Sequence, residues 1–396
     1  MNPELRRLAI LLAALSAMGP FAIDTYLPAF PAMANDLRTT DLAVQQTLAA
    51  YMIPFAFMMF WHGPLADAHG RRRVLILGLG GFALASVVCA LAPSIEWLWL
   101  GRALQGMVGG AGMVVARAVV RDLYAGVEAQ KLMAMIAVLF AIAPAIAPLI
   151  GGGLLLVTGW RGIFWFLALL AAALCLLSWR RLPETLPPER RHPFNPTTLW
   201  LGYSGVARHH RFRRLALASA FNFIGLFIYV LAAPIFLIRL LGYTPQQFGW
   251  LFIPTVAGMM AGSTLAGRLA GQRTPHQSLL LAYSIMGTAA VANVALNLAF
   301  PPGPWCIAPL VLYAMGMALA MPTLQLLALD LVPARRGLAS SCLGVAQTTT
   351  NALAASLIVP LLWNDTLHLA LGMAGCVSIG LVTYLMSRRH LPEPVN

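Results

Sequence analysis

Gly63-Pro-Leu-Ala-Asp67-Ala-His-Gly70-Arg71-Arg72-Arg73 is a short, basic, glycine-punctuated segment between two long apolar runs. Residues 42–61 precede it and residues 74–92 follow it, and each run is close to the roughly 20 residues that a helix needs to cross a bilayer. Three consecutive arginines between two spans belong on the cytoplasmic side under the bias of Lys and Arg toward that face. The segment therefore sets the expected topology of the chain.

Composition agrees. The chain is 60% hydrophobic and 10% charged, with a mean hydropathy of +0.77, whereas soluble domains carry about 25% charged residues. So much apolar surface excludes a water-soluble fold and predicts an all-α integral membrane protein. The net charge of +13 is a topology signal and not a nucleic-acid signal. Of the 26 Lys and Arg, all but Arg38, Arg102, Arg161 and Arg239 fall in segments expected in the cytoplasm. There they set orientation and attract anionic headgroups, so no nucleic-acid partner is expected. Cys89, Cys175, Cys306, Cys342 and Cys376 all lie within apolar runs, an odd set with no framework or metal spacing. They read as small packing residues. Arg6 and Arg7 before an apolar run imitate a signal peptide. That run is longer than a usual signal core and no small-residue cleavage site follows, so it reads as an uncleaved first span.

Runs of spanning length number twelve on the roughly 20-residue criterion. They fall near residues 8–28, 42–61, 74–92, 98–120, 132–157 and 162–179, then 215–237, 248–269, 279–300, 307–329, 337–362 and 367–386. Lipid offers no partners to open backbone groups, so every span is expected to be helical. A longer interruption holds Pro183, Pro187, Pro188, Pro193 and Pro196 among many arginines and histidines. The expected organisation is a six-helix bundle over 1–180, a cytoplasmic linker over 181–213, and a second six-helix bundle with a short cytoplasmic tail over 214–396. An even number of spans with basic ends puts both termini in the cytoplasm. Two halves of six spans suggest the internal duplication of secondary transporters. Gly267-Arg268-Leu-Ala-Gly271-Gln-Arg273 echoes the first basic segment without its aspartate.

Two ionisable residues stand out inside the first-half spans. Arg102 begins Arg102-x2-Gln105-Gly106-x2-Gly109-Gly110, and Asp24 begins Asp24-x-Tyr26-Leu27-Pro28. An intramembrane charge is costly and faces a cavity or a partner. Counted from opposite chain directions, each lies about 6–10 Å inside its span at 1.5 Å per residue. Similar depth makes them an expected pair, with Asp24 the proton-coupling carboxylate whose proton affinity changes with its surroundings.

With these motifs the chain resembles the major facilitator superfamily, in particular the twelve-span drug:proton antiporter group that includes bicyclomycin and chloramphenicol resistance exporters. The likeness runs over essentially the whole chain. Gly63-x3-Asp67-x2-Gly70-Arg71-Arg72 resembles the family's loop between spans two and three. That likeness implies a conformational latch in which Asp67 and Arg71 pair near Asp122 and hold the outward-open state. The Arg102 motif resembles one shared by proton-coupled members. Ala143-Pro144-x2-Ala147-Pro148-x2-Gly151-Gly152 resembles the antiporter motif, with Ala143 and Ala147 in place of glycines. Small residues there let helices pack closely while prolines bend the span.

Ser16 stands where some polyspecific relatives carry a further glutamate. The resemblance therefore implies neutral or zwitterionic lipophilic drugs of the chloramphenicol type. Tyr26, Tyr51, Phe55, Met58, Asn222, Tyr229, Phe252 and Gln347 lie on spans that line the central cavity of such proteins, and are the expected substrate contacts. The expected protein is a monomeric, proton-coupled multidrug exporter of the bacterial inner membrane, working by alternating access. A metabolite carrier and a proton-independent facilitator are the alternatives. No phosphate loop, zinc-ligand spacing or nucleophile elbow is present, so neither an enzyme nor a cofactor is expected. Its partners are drug substrates, protons and the lipid bilayer.

Overall fold

The computed structural model describes residues 3–191 and 193–388, and they form helices joined by short turns, with no strand among the described residues. The expected tail over 389–396 lies outside the described residues. Among the described residues, eleven helices are long and apolar enough to cross a membrane. The longest, Gly126–Arg181, runs 56 residues, or about 84 Å at the α-helical rise, far beyond one hydrocarbon core. It is two spans. Gly159, at φ 70° and ψ −175°, breaks it, a conformation that glycine adopts without steric cost. The break falls where the sequence predicts the interruption, and counting both arms gives twelve spans. Their outer faces remain apolar: Leu84 is 72% exposed and Val157 84%. Such surfaces are stable only against lipid. This is a multi-pass membrane protein.

The chain forms two compact units. The first comprises the residues up to Asn195 together with Tyr243–Phe252. It holds α1 (Pro3–Asp24), α2 (Phe30–Asp36), α3 (Asp41–His69), α4 (Arg71–Ala90), α5 (Ile95–Gly109), α6 (Ala111–Leu123) and α7 (Gly126–Arg181). The first span departs from expectation. Its helix stops at Asp24, turns through a 3₁₀ segment over Leu27–Ala29 and resumes as α2 to Asp36. The polar opening of α3 is capped by Thr40, whose Oγ1 accepts from the Ala43 amide at 3.1 Å. The expected basic loop also shrinks. The α3 helix continues through Gly63 and Pro64 to His69, and the turn is Gly70 alone, at φ 95°. Within the unit α3 packs along α5, while α4 and α1 pack along α7. At Gly106 the contact is so close that a Cβ would collide with the Tyr51 carbonyl, the small-residue approach that membrane helices use.

The second unit comprises Pro196–Gly242 and the residues from Ile253 onward. It holds α8 (Pro196–Arg208), α9 (His210–Leu231), most of α10 (Gly249–Leu269), α11 (Pro275–Ala299), α12 (Ala308–Asp330), α13 (Arg336–Leu353), α14 (Val359–Leu362) and α15 (Thr366–Arg388). The proline-rich linker is partly ordered: α8 forms within it and packs against α9 and α13. Proline opens α8, where a missing N–H costs nothing. The α9 helix packs on α15 and α12, and α11 packs on both as well.

Candidate functional site

Arg102 is fully buried. Its guanidinium carbon lies 4.4 Å from the ring centroid of Tyr26 and 4.4 Å from that of Tyr51, so two aromatic faces sandwich the cation. Desolvated contacts of this kind are each worth about 2 kcal/mol. Nη1 donates to Gln105 Oε1 at 2.7 Å, and Gln105 Nε2 donates to Ser86 Oγ at 2.7 Å. Arg102 and Gln105 are one turn apart on α5, which is why both reach the same pocket. Tyr26 is fixed in turn: its hydroxyl lies 2.9 Å from Thr47 Oγ1, which itself donates to the Val44 carbonyl at 2.6 Å. Arg102 Nε and Nη2 make no hydrogen bond, and neither does the Tyr51 hydroxyl.

Asp24 is 4% exposed and its Oδ1 has no hydrogen-bond partner. The expected pairing with Arg102 does not form. The ion pairs among the described residues join Arg71 to Asp67 and Asp122, Arg161 to Asp36, and Arg336 to Asp330. The pairing fails because the helix ends at Asp24 and the broken stretch after it supplies Tyr26, and not the carboxylate, to Arg102. The first span runs on past Pro28 to Asp36. Arg102 lies seven residues into α5, or about 10 Å. Tyr26, just past the helix break, meets Arg102 where an aspartate was expected. Broken spans of this kind place backbone and side chains at binding sites in transporters.

The antiporter-like motif supports that break. Ala143 and Ala147 are buried on the first arm of α7, which also carries Pro144 and Pro148. Gly151 meets the Thr25 carbonyl so closely that no Cβ fits. Gln246 Nε2 donates to the Gly152 carbonyl at 3.3 Å, tying the same stretch to the Tyr243–Phe252 segment of this unit.

At the basic turn Arg71 contacts Asp67, and its Nε reaches Asp122 Oδ2 at 3.2 Å. Thr185 Oγ1 donates to the same oxygen at 2.9 Å. The Arg72 guanidinium donates to the Trp179 carbonyl. Glu184 completes the cluster. It accepts the amides of Arg71 at 2.9 Å and Arg72 at 3.3 Å, which satisfies donors left open at the start of α4 and sets a negative charge on its positive end. Sequence reasoning missed Glu184 and Thr185. The available signal was an acid in an otherwise basic stretch, directly after the span ends. Gly63 is not part of the turn: a Cβ there would meet only Val114, at 3.9 Å.

Of the eight expected substrate contacts, Tyr26, Tyr51, Asn222, Tyr229 and Phe252 are buried, while Phe55, Met58 and Gln347 are part-exposed. The buried ones have structural partners. Asn222 Nδ2 donates to the Tyr283 hydroxyl at 3.0 Å, Asn293 Nδ2 donates to the Tyr229 hydroxyl at 2.7 Å, and Phe252 stacks on Phe248.

A family model described as Major Facilitator Superfamily matches residues 10–359. The chain belongs to the Major Facilitator Superfamily. It is 34% identical over 370 residues to the uncharacterized MFS-type transporter YdgK of Bacillus subtilis (strain 168), covering 92% of this chain and 90% of that one. It is 28% identical over 394 residues to the bicyclomycin resistance protein homolog of Haemophilus influenzae, covering 96% of each. A solved bacterial homologue of the human lysosomal transporter Spinster superposes with a TM-score of 0.75 at 16% identity, over 99% of this chain and 98% of that one. At that identity the likeness shows the fold. The protein is therefore a membrane transporter of small molecules and not an enzyme.

Proposed function

We propose that this superfamily member exports lipophilic drugs across the bacterial inner membrane in exchange for protons, with both termini in the cytoplasm and a single chain as the working unit. The observation that carries the reading is a buried carboxylate, Asp24, and a buried guanidinium, Arg102, on spans of one unit with no ion pair to either among the described residues. Isolated charges are expensive in hydrocarbon and mark ion pathways. Asp24 carries the proton. With it the carboxyl is neutral and tolerates burial. Without it the anion draws the free Nε and Nη2 of Arg102, now held between Tyr26 and Tyr51. The two protonation states thus favour different packings around the break after Asp24, and a proton shifts the transport equilibrium by its differential affinity for the two states.

The Arg71, Asp67 and Asp122 cluster is the latch of this cycle, with Glu184 holding the turn in register. Neutral and zwitterionic drugs of the chloramphenicol type are the favoured substrates. The hydroxyl of Ser16, which donates to the Leu12 carbonyl at 3.0 Å, occupies a place where a carboxylate would attract cations. A relative bearing the name bicyclomycin resistance protein homolog supports drug export. The test is proton release from energised inside-out vesicles on adding amphenicols, lipophilic cations or nucleobases. Wild type is expected to respond most to amphenicols, and Asp24→Asn not at all. An Asp24→Asn protein that still exchanges protons for drug would sink the assignment.

A further inference from the structure

His62 is a titratable group inside a span that the proposed cycle does not use. It lies on α3 eleven residues beyond Tyr51, about 16 Å further toward the Gly70 turn. It is 3% exposed, and its Nδ1 makes no hydrogen bond. A buried polar atom with no partner costs free energy that an apolar residue of similar size would not, and in a span it marks a functional site by default.

Its surroundings join it to the Arg102 cluster. The ring packs on Gly110, between α5 and α6, where a Cβ would sit 3.1 Å from Nδ1 and 3.5 Å from the Phe55 ring. On the preceding Gly109 a Cβ would sit 2.8 Å from the Tyr51 hydroxyl, which also has no partner. Phe55 stacks on Tyr51 with centroids 5.6 Å apart. Tyr51, Phe55 and His62 thus follow one face of α3 along a wall of bare glycine backbone. This seam begins at the ring that holds Arg102 and ends at His62, eight residues before the Gly70 turn, about 12 Å at helical rise.

The elements packed on α3 bring no counter-ion to the ring. From α5 and α6 it meets Gly110 and the main chain of Met107, and from its own helix the main chain of Met58. Along the helices, Arg102 on α5 stands about 12 Å from Gly110 and Arg117 on α6 about 10 Å on the other side. At the head of α4, Arg71 is engaged by Asp67 of α3 and Asp122 of α6, and on α2 Asp36 is engaged by Arg161.

We propose that His62 is a second proton-binding site of the transporter, taking up the proton that leaves Asp24 and passing it to water at the basic turn. With Nε2–H directed at main-chain oxygen, the Nδ1 lone pair accepts the proton to form imidazolium and then releases it, and no other bond changes. The glycine wall is closed, with no room for a Cβ at Gly106 or Gly109, so the proton crosses when the transport cycle parts α3 from α5 and admits water beside the Tyr51 hydroxyl. The inference rests on the reading that Asp24 exchanges protons.

The test uses the full chain in proteoliposomes and, as probe, whichever compound of the vesicle panel releases most protons from wild type. His62→Gln is expected to slow drug-triggered proton release about 100-fold, the scale of a lost acid–base group, and to flatten the pH profile of release. Its dissociation constant for the probe stays within about two-fold, well under the tenfold that 1.4 kcal/mol represents. Release within two-fold of wild type overturns the inference, and so does release that falls only in step with affinity, which marks a packing role. Should His62→Gln fail to fold, Gly110→Ala decides: it keeps the imidazole but sets a methyl against Nδ1, and wild-type release from it overturns the inference. A wild type that exports drug without moving protons overturns the antiport reading itself. Wild type that moves protons beside an unaffected His62→Gln overturns only the role of His62.

Discussion

The buried polar cluster of the first unit and that of the second are built on opposite principles. In the second, neutral groups close on one another and leave one amide oxygen, Asn222 Oδ1, without a partner. Asn222 donates to Tyr283 at 3.0 Å, Tyr283 donates to the Gly380 carbonyl at 2.9 Å, and Tyr313 donates to the Asn222 carbonyl at 3.1 Å. In the first, a guanidinium lies between two tyrosine faces with two nitrogens unused, and a carboxylate is buried with an oxygen unused. A neutral hydrogen-bonded network rigidifies a helix bundle even with one oxygen unused, whereas buried charges without a counter-ion hold free energy that a change of protonation or packing releases. The difference teaches that groups able to change charge are buried in the first unit, which is where the proposed coupling is placed.

That contrast can be broken outright at Arg102. Arg102→Ala removes the cation and is expected to cut proton-coupled export about 100-fold, as loss of an intramembrane charge in a proton pathway should. Arg102→Lys keeps the charge without the planar stacking group, so it should recover part of that loss. Proton release from vesicles measures both, and an active Arg102→Ala would erase the asymmetry. A smaller effect sharpens the other side. Tyr283→Phe strips the acceptor from Asn222 and the donor to Gly380, which should cost about 1–3 kcal/mol of stability and leave the pH dependence of export unchanged. Thermal unfolding in detergent reads the first quantity and vesicle assays the second. Coupling lost in Tyr283→Phe would move chemistry into the second unit. The smallest change is Tyr26→Phe. It keeps the ring over Arg102 and loses the hydroxyl's bond to Thr47, at about 1 kcal/mol. A far larger loss of export would mean that the hydroxyl itself takes part.

Sequence reasoning reached the basic turn because its parts are close in the chain. Asp67 and Arg71 sit one helical turn apart, and glycine at the point of positive φ is the expected terminator of a helix. It did not reach Glu184, whose bond to the Arg71 amide joins residues 113 positions apart. It placed Asp24 and Arg102 inside spans correctly as residue types and then paired them, because depth along each span was the only coordinate it had. The pairing missed the break after Asp24, which the dipeptide Thr25-Tyr26 does not announce. His62 was passed over because it adjoins a segment already read as a loop. The structure instead carries α3 on to His69 and buries that ring.

The chain by itself determined that this is a membrane protein of twelve apolar helices with a basic turn after the second, because hydropathy, charge and glycine act locally and can be counted along a line. Only the tertiary structure decided that Tyr26 and Tyr51, and not an aspartate, enclose Arg102, that Gly151 presses on the backbone after Asp24, and that Glu184 seals the start of α4. Those contacts join helices far apart in sequence. Their partners are chosen by how helix faces pack in three dimensions, a quantity that an apolar run, nearly uniform around its circumference, does not encode.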